Sequence, residues 1–462
     1  MAYEIKYRSD NEMKDSGIEW LGKIPKEWEV TRIKFISNIY GRIGFRGYTT
    51  EDIVGEGEGA ITLSPSNIDD QKLDLSNKTY ISWKKYNESP EIKIYNNDIL
   101  LVKTASIGKV AYIERLFEPA TINPQFVVFK NIKTDRKLFY YNLISEVIQQ
   151  QVMFVSNGGV ISTLTQKDIG DFYISNLDEL NQQKIANFLD IKTAEFDTII
   201  SKKEQLIEKL EAAKKSLISE VVTGKVKIVD GELVDRKPEE MKDSGVEWLG
   251  MIPKDWEVKR INLITSNVGD GLHGTPIYEE GTKYFFINGN NLRNGKIIID
   301  SSTKEVEKKE YNKYKKNLSE NTILMSINGT IGNLAMYNGE KIILGKSAAY
   351  INLLKNINIQ FIYYYFQSKE IEIYFNRSMS GTTINNLSLA TIRKTSVVLP
   401  REEEMSYIVG YLDKRTSELE LIIAKTKQQI TKLKEAKQSL ISEAVTGKID
   451  LRDWEIIETG GR

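Results

Sequence analysis

Apolar residues along most of this chain come in short clusters, but in two places they settle into a three-then-four rhythm held for several turns. On this pattern residues 180–222 and 402–445 both read as long helices. In the first, Phe196, Ile199, Leu206, Leu210, Ala213 and Leu217 fall on one seam, interrupted by Lys203. In the second, Leu419, Ile422, Leu433, Ala436 and Leu440 take the matching places, interrupted by Thr426 and Gln429. This is a coiled-coil stripe of about three heptads, with polar seam positions able to set register. Neither helix hides such a stripe alone, so the two are expected to pack on each other. Beyond that seam the helices carry surplus apolar positions, Ile200, Ile207 and Ile218 on the first and Ile423, Ile430 and Ile441 on the second, open to adjoining domains or to a partner.

The helices also end on nearly the same words, Ser216-Leu-Ile-Ser-Glu-Val-Val-Thr-Gly-Lys225 and Ser439-Leu-Ile-Ser-Glu-Ala-Val-Thr-Gly-Lys448. A second repeat precedes each half: Met13-Lys-Asp-Ser-Gly-Ile-Glu-Trp-Leu-Gly-Lys-Ile-Pro-Lys-Glu-Trp-Glu-Val30 returns from Met241 to Val258 with changes at Val246, Met251 and Asp255. Internal duplication therefore comes before any choice of fold. Each half runs short arm, long variable segment, long helix. Trp20, Trp28, Trp248 and Trp256 are repeated with their surroundings, which makes them packing residues rather than ligand stackers. Between the halves, residues 225–240 form a polar connector that lets the first helix turn into the second arm.

The variable segments, residues 32–176 and 260–399, are strand-rich. Short β-branched and aromatic runs such as Ile99-Leu-Leu-Val102, Phe126-Val-Val-Phe129, Tyr284-Phe-Phe-Ile287, Ile297-Ile-Ile299 and Val397-Val-Leu399 are bounded by Gly, Asn, Asp and Pro. A helical piece over residues 137–154, matched by 359–375, closes each domain. Ile99-Leu-Leu-Val-Lys-Thr-Ala-Ser-Ile-Gly108 aligns with Ile323-Leu-Met-Ser-Ile-Asn-Gly-Thr-Ile-Gly332, so the two segments are copies of one fold with diverged loops. The architecture predicted is α+β: two strand-rich globular domains and two long coiled-coil helices that pack on each other, the product of an internal duplication. The boundaries expected are 1–178 for the first arm and domain, 179–226 for the first helix, 227–400 for connector, second arm and second domain, and 401–462 for the second helix and tail.

Composition mainly excludes. There are no cysteines, hence no disulfides, thiolate metal sites or cysteine nucleophiles, and the one histidine, His273, rules out a histidine metal cluster or a serine–histidine relay. The opening residues lack the apolar core of a signal peptide, and no run approaches the ~18 apolar residues of a membrane span. A cytoplasmic, non-membrane protein is the expectation. Lys and Arg total 64 against 64 Asp and Glu, a neutral balance that weighs mildly against nucleic acid while leaving room for local basic faces.

No fragment carries catalytic chemistry. Gly55-Glu-Gly-Glu-Gly59 would repel phosphate with its glutamates and reads as a turn. Asn123-Pro-Gln-Phe126 lacks the second proline of an amino-methyltransferase tetrad, Glu91-Ile-Lys93 is a spacing common by chance, and no phosphate-binding Gly-x-x-x-x-Gly-Lys-Ser/Thr loop exists. What remains are polar, basic, glycine-rich loops: residues 41–48 with Arg42, Arg46 and Tyr48; residues 103–109 with Lys103, Thr104, Ser106 and Lys109; residues 270–276 with His273 and Thr275; residues 288–293 with Asn288, Asn290, Asn291 and Arg293; and Asn328, Thr330 and Thr382. Asparagine and arginine can read base edges bidentately, while serine, threonine and lysine more often hold the backbone.

With repeated arm, diverged domains and repeated helix in place, the chain resembles the specificity subunit of type I restriction–modification systems over nearly its whole length. The most specific features are the duplicated Trp-Leu-Gly-x-Ile-Pro-Lys-x-Trp-Glu-Val arm and the duplicated helix end. The family's Pro-x-x-Glu-Gln-like helix start is altered here to Asn176-Leu-Asp-Glu-Leu-Asn-Gln-Gln183 and Pro400-Arg-Glu-Glu-Glu404. The resemblance implies that the long helices form an antiparallel coiled-coil pair separating the two domains with pseudo-twofold symmetry, and that each variable segment is a target recognition domain reading one half of a split double-stranded DNA site through the loop residues above. It implies that the chain is not itself an enzyme and holds no cofactor. Two methyltransferase subunits and two restriction subunits would bring adenosylmethionine, ATP and Mg, and Ile200, Ile207, Ile423 and Ile430 become candidate docking positions. A duplicated coiled-coil scaffold whose variable domains bind proteins is the alternative.

Overall fold

The computed structural model describes residues 5–44, 47–156, 163–379 and 386–455. They form two compact units, Met1–Lys203 with Gln428–Arg462, and Glu204–Lys427. The division cuts through both long helices, Glu179–Val222 and Glu402–Val445, so each unit holds one end of each. The units thus follow boundaries different from the contiguous segments expected from the repeats.

In the first unit a four-stranded antiparallel sheet runs in the order Val110–Tyr112, Ile99–Val102, Phe126–Lys130, Asn38–Tyr40. Its side chains alternate between two cores. Ile99, Leu101, Val127 and Phe129 face the helices, while Leu100, Val102, Phe126 and Val128 face a five-stranded sheet in which Ala120–Ile122 runs parallel to Gly59–Leu63. Burial on both faces explains why these strands read as unbroken apolar runs instead of alternating ones. The second unit repeats the order with Leu334–Met336, Thr322–Ser326, Ala348–Leu353 and Thr265–Asp270, and repeats the parallel pair with Phe285–Ile287 and Ile342–Leu344.

The helical pieces expected as single elements are each split. Arg136–Ile144 and Glu146–Ser156 break at Ser145, and Ile359–Tyr365 and Lys369–Ser378 break at Ser368, both serines being extended (ψ 156° and 151°). The Ser145 hydroxyl donates back to the Asn142 carbonyl (2.6 Å), and the Ser368 hydroxyl caps the next helix by accepting from the Ile371 amide (3.4 Å). Both pieces are pinned to a long helix by the same contact. The Tyr141 hydroxyl donates to Asp190 (2.7 Å), and that of Tyr364 to Asp413 (2.6 Å). Burial raises both tyrosine pKa values above the ordinary value, and burial also raises that of Asp190.

Within each unit the long helices run antiparallel. Asp197 meets Lys437 (2.6 Å) and Lys203 meets Gln429 (2.7 Å) in the first unit; Glu211 meets Lys427 (3.6 Å) and Lys214 meets Glu420 in the second. The inward stripe is Thr193, Phe196, Ile200, Lys203, Ile207, Leu210, Lys214, Leu217, and on the other helix Leu412, Thr416, Leu419, Ile423, Thr426, Ile430, Leu433, Lys437, Leu440. One row of the expected seam is therefore right, and the other lies one residue further along. Ile199, Leu206 and Ile422 are 43–46% exposed, whereas Ile200, Ile207 and Ile423 are 7–9% exposed and Ile430 is half-buried. The expectation that these four isoleucines face a partner is corrected: they fill the inward stripe. The ends of the row depart furthest from hydrophobicity. Lys214 and Lys437 lie inward along their aliphatic stems and send the ammonium to Glu420 and Asp197, while the smaller Ala213 and Ala436 face out.

The two sequence repeats meet each other in space, crosswise. Each helix ends on a glycine at positive φ, Gly224 (+70°) and Gly447 (+71°), where L side chains are strained. A Cβ on Gly224 would lie 2.4 Å from Pro253 Cγ and 3.1 Å from Trp256; one on Gly447 would lie 2.5 Å from Pro25 Cγ and 2.8 Å from Trp28. The second arm thus covers the end of the first helix, and the first arm covers the end of the second. Trp28 and Trp256 are buried there, which bears out their reading as packing residues. Beyond Gly224 the connector forms a hairpin, Val226–Val229 with Glu232–Asp235, after which the Arg236 amide donates to the Lys225 carbonyl (3.1 Å). In the first unit the two ends of the chain take the same places: Tyr7 bridges Ile449, and the Arg8 amide donates to the Lys448 carbonyl (2.9 Å).

Gly447→Ala and Gly22→Ala separate strain from contact. Both glycines have positive φ, but nothing lies within 4 Å of a Cβ on Gly22. Gly22→Ala is expected to cost about 1–2 kcal/mol from backbone conformation alone, and Gly447→Ala about 1–3 kcal/mol more from overpacking. Urea midpoints at constant slope measure the difference.

Candidate nucleic-acid interface

In each unit the loops picked out by composition gather around one short turn. In the second unit that turn is Gly345-Lys346-Ser347, following the parallel strand Ile342–Leu344. The Gly345 amide donates to the Ile287 carbonyl (2.8 Å), Leu272 bridges Gly345, the Ile327 amide donates to the Ser347 carbonyl (2.9 Å), and Asn328 Nδ2 donates to the Lys346 carbonyl (3.3 Å). The Ser347 hydroxyl donates to Asn288 Oδ1 (3.0 Å) and accepts from the Gly289 amide (2.9 Å). Two of the expected loops, 270–276 and 288–293, and the segment that carries Asn328 and Thr330 are therefore joined through a turn that composition did not single out.

The individual side chains divide by position. His273 and Thr275 are exposed, the His273 ring 2.8 Å from Asp270. Asn288 is half-buried by its bond to Ser347. Asn291 works within the fold: its Oδ1 caps the Asn288 amide (3.0 Å) and its Nδ2 donates to the Ile298 carbonyl (3.2 Å). Asn290 and Arg293 are exposed, and Arg293 Nε returns to the Asn290 carbonyl (3.2 Å). Thr330 is exposed while its carbonyl accepts from the Ser326 hydroxyl (2.6 Å). Thr382 and Arg46 lie outside the described residues.

In the first unit the equivalent turn is Asn123-Pro124-Gln125. The Asn123 amide donates to the Leu63 carbonyl (2.9 Å), and the Lys103 amide donates to the Gln125 carbonyl (2.8 Å). Asn123 Oδ1 accepts from the Gln125 amide (2.9 Å), a turn with no amino-methyltransferase geometry implied. Thr104 bridges Thr163, Ser106 and Lys109 are exposed, and Lys109 Nζ donates to the Ile68 carbonyl (3.3 Å). Gly55 and Glu58 close the turn expected for the glycine–glutamate stretch (3.2 Å).

Arg42 departs from expectation. Its guanidinium is buried, donating to the Ile122 carbonyl (3.0 Å) and Thr121 Oγ1 (3.1 Å) with Tyr48 packed over it at 5.5 Å. Burial lowers its pKa from the ordinary value. Arg42 and the half-buried Tyr48 thus tie the loop to the sheet; a glycine-flanked arginine looks solvated in sequence because its acceptors lie about eighty residues away. Reading by composition also missed Ser64-Pro-Ser-Asn67, which takes the place of Asn288-Gly-Asn-Asn291: both follow the matching parallel strand, and both close with an Asn Oδ1 accepting from the amide three residues earlier (2.9 and 3.0 Å). The shared spacing, Ser or Asn followed by Asn three residues on, was the available signal.

A family model described as the type I restriction modification DNA specificity domain matches residues 25–211 and again 253–432. The chain belongs to that family. The MjaIX type I restriction enzyme specificity subunit of Methanocaldococcus jannaschii is 26% identical over 480 residues, covering 98% of this chain and 100% of that one. The EcoBI specificity subunit of Escherichia coli is 20% identical and covers 72% of this chain and 70% of that one. A solved chain described under complex assembly and conformational transition of the type I R-M system aligns at TM-score 0.62 and 15% identity, covering 91% of this chain and 98% of that one. Each of the two matched stretches contains one central turn with the loops gathered on it, a platform that recurs once in each unit.

Arg42→Gln is expected to destabilise the first unit by about 1.5–3 kcal/mol per charged hydrogen bond lost, whereas Arg293→Gln, exposed and bonded only locally, leaves the melting transition unchanged. Thermal unfolding of the two variants beside the parent checks this.

Proposed function

We propose that this specificity-domain protein reads a split duplex DNA target, one half-site per platform, and directs bound methyltransferase and restriction subunits to it without doing chemistry itself. The observation that carries the reading is one turn architecture built twice from different residues, Ser64–Asn67 with Asn123–Gln125 and Asn288–Asn291 with Gly345–Ser347, on arms and helix ends that are nearly identical. A scaffold held constant under diverged polar loops is what two different base sequences require. Ser106, Lys109, His273, Thr275, Asn290, Arg293 and Thr330 are the exposed candidates for contact; Arg42 and Asn291 support from within.

Among the described residues no group of three or more His, Cys, Asp or Glu could hold a metal ion, and no helix is long and apolar enough to cross a membrane. Adenosylmethionine, ATP and Mg belong, in this reading, to two methyltransferase and two restriction subunits. The relatives named above are prokaryotic, and the chain works in the cytoplasm beside the host DNA. The neutral net charge fits a partner that shares the clamp on the phosphates. In the second unit, Leu206 and Ile422 stand exposed on the long helices and supply apolar side chains for docking.

Replacing residues 41–176 with the segment of a relative should change one half of the methylated motif and preserve the other, as read by methylation mapping of the host genome. Change in both halves, or methylation without sequence preference, would sink modular reading. For docking, Leu206→Asp with Ile422→Asp is expected to abolish co-purification with the methyltransferase subunit while leaving the melting temperature unchanged. Ile207→Asp should instead lower stability by about 2–5 kcal/mol, since it deletes a buried isoleucine and adds a charge. Co-purification retained in the first variant would move the docking surface elsewhere.

A further inference from the structure

The two platforms superimpose position by position through their backbone bonds, and their lysines do not. Lys103 and Ile327 are equivalent, because each donates its amide to the last residue of the central turn, Gln125 and Ser347. Asn123 and Gly345 are equivalent, because each donates to the end of the neighbouring parallel strand, at Leu63 and Ile287. Pro124 therefore stands where Lys346 stands. The first platform carries Lys103 beside an exposed proline; the second carries a buried Ile327 beside an exposed Lys346. Each hub has one lysine on two adjacent strand ends, placed on opposite members of the pair. Neither ammonium has a hydrogen-bond or ion-pair partner among the described residues.

Lys346 is held by its surroundings and not by its own side chain. A Cβ on Gly345 would lie 2.1 Å from Asn288 Oδ1, the Ser347 hydroxyl is tied to Asn288 and Gly289, and the Lys346 carbonyl accepts from Asn328. A fixed backbone thus presents an exposed cation at the point where three polar loops join. We propose that Lys346 is a DNA phosphate contact of the second half-site and the functional counterpart of Lys103 in the first, an inference that rests on the DNA-reading function above. Phosphate is favoured over a base edge because an ammonium is a compact point charge on a flexible stem, without the planar fork that fixes a bidentate base contact. Hydroxyl and amide groups around the turn suit close approach of a sugar–phosphate backbone.

The test uses the complex of this chain with its methyltransferase subunits, a duplex carrying the mapped target and a duplex of unrelated sequence, titrated across salt concentrations. Lys346→Ala should weaken both duplexes by the same factor and reduce the slope of log affinity against log salt by about one unit, with the methylated motif unchanged. Lys103→Ala should do the same, and Lys103→Ala with Pro124→Lys should recover the slope by moving the charge to the position used in the second platform. An unaltered slope in Lys346→Ala, in a complex with the parent's melting temperature, overturns the proposal. A loss confined to the target duplex, or an altered methylated motif, overturns it as well by making Lys346 a base reader. Failure of folded Lys103→Ala/Pro124→Lys to recover the slope overturns the equivalence. If the parent complex itself binds no duplex, the DNA-reading function falls instead.

Discussion

The close approach of a proline–tryptophan arm to the glycine that ends a helix is the contact on which the rest depends. Gly224 and Gly447 hold positive φ, and the rings of Pro253 and Pro25 occupy the space where a side chain would begin. Only glycine meets both demands, which explains why the two most strongly repeated stretches of the sequence are the arm and the helix end: they are two sides of one contact. Because each arm covers the end of the other repeat's helix, neither repeat can complete a compact unit from its own residues. The first unit accordingly gathers both ends of the chain, with Tyr7 and Arg8 meeting Lys448 and Ile449 where the second unit has a continuous hairpin.

On this frame the domains present their loops through a sheet buried on both faces. The central strands spend most of their side chains on packing, which leaves the turns at their ends to carry the exposed polar groups. The hub turns show how far it goes: Asn-Pro-Gln in one platform and Gly-Lys-Ser in the other keep the same backbone bonds while exchanging hydroxyl, amide and ammonium. Backbone bonding preserves position, and the free side chains supply the difference in chemistry. Some charges of the long helices pair across them, as Asp197 with Lys437 and Glu211 with Lys427 illustrate, and a neutral total is compatible with cations exposed at the platforms.

What the sequence determined by itself was the duplication, the two long helices, the apolar strands and the polar loops, because periodicity and repetition are properties of neighbours along the chain. It also marked Asn288 and Asn328, whose loops do converge. The inward row of the helices was decided only in three dimensions. Ile199 beside Ile200 and Leu206 beside Ile207 leave two rows equally apolar, and at positions 213 and 214 hydrophobicity points to alanine whereas in the fold the long stem of lysine packs inward and carries its charge to Glu420. The crosswise pairing of arm and helix end, the burial of Arg42 against Thr121 and Ile122, and the meeting of Lys346 with Asn328 and of Ser347 with Asn288 likewise join residues far apart in sequence. Such pairings leave no local pattern, since the partner that satisfies a polar group is chosen by the packed fold and not by the residues beside it.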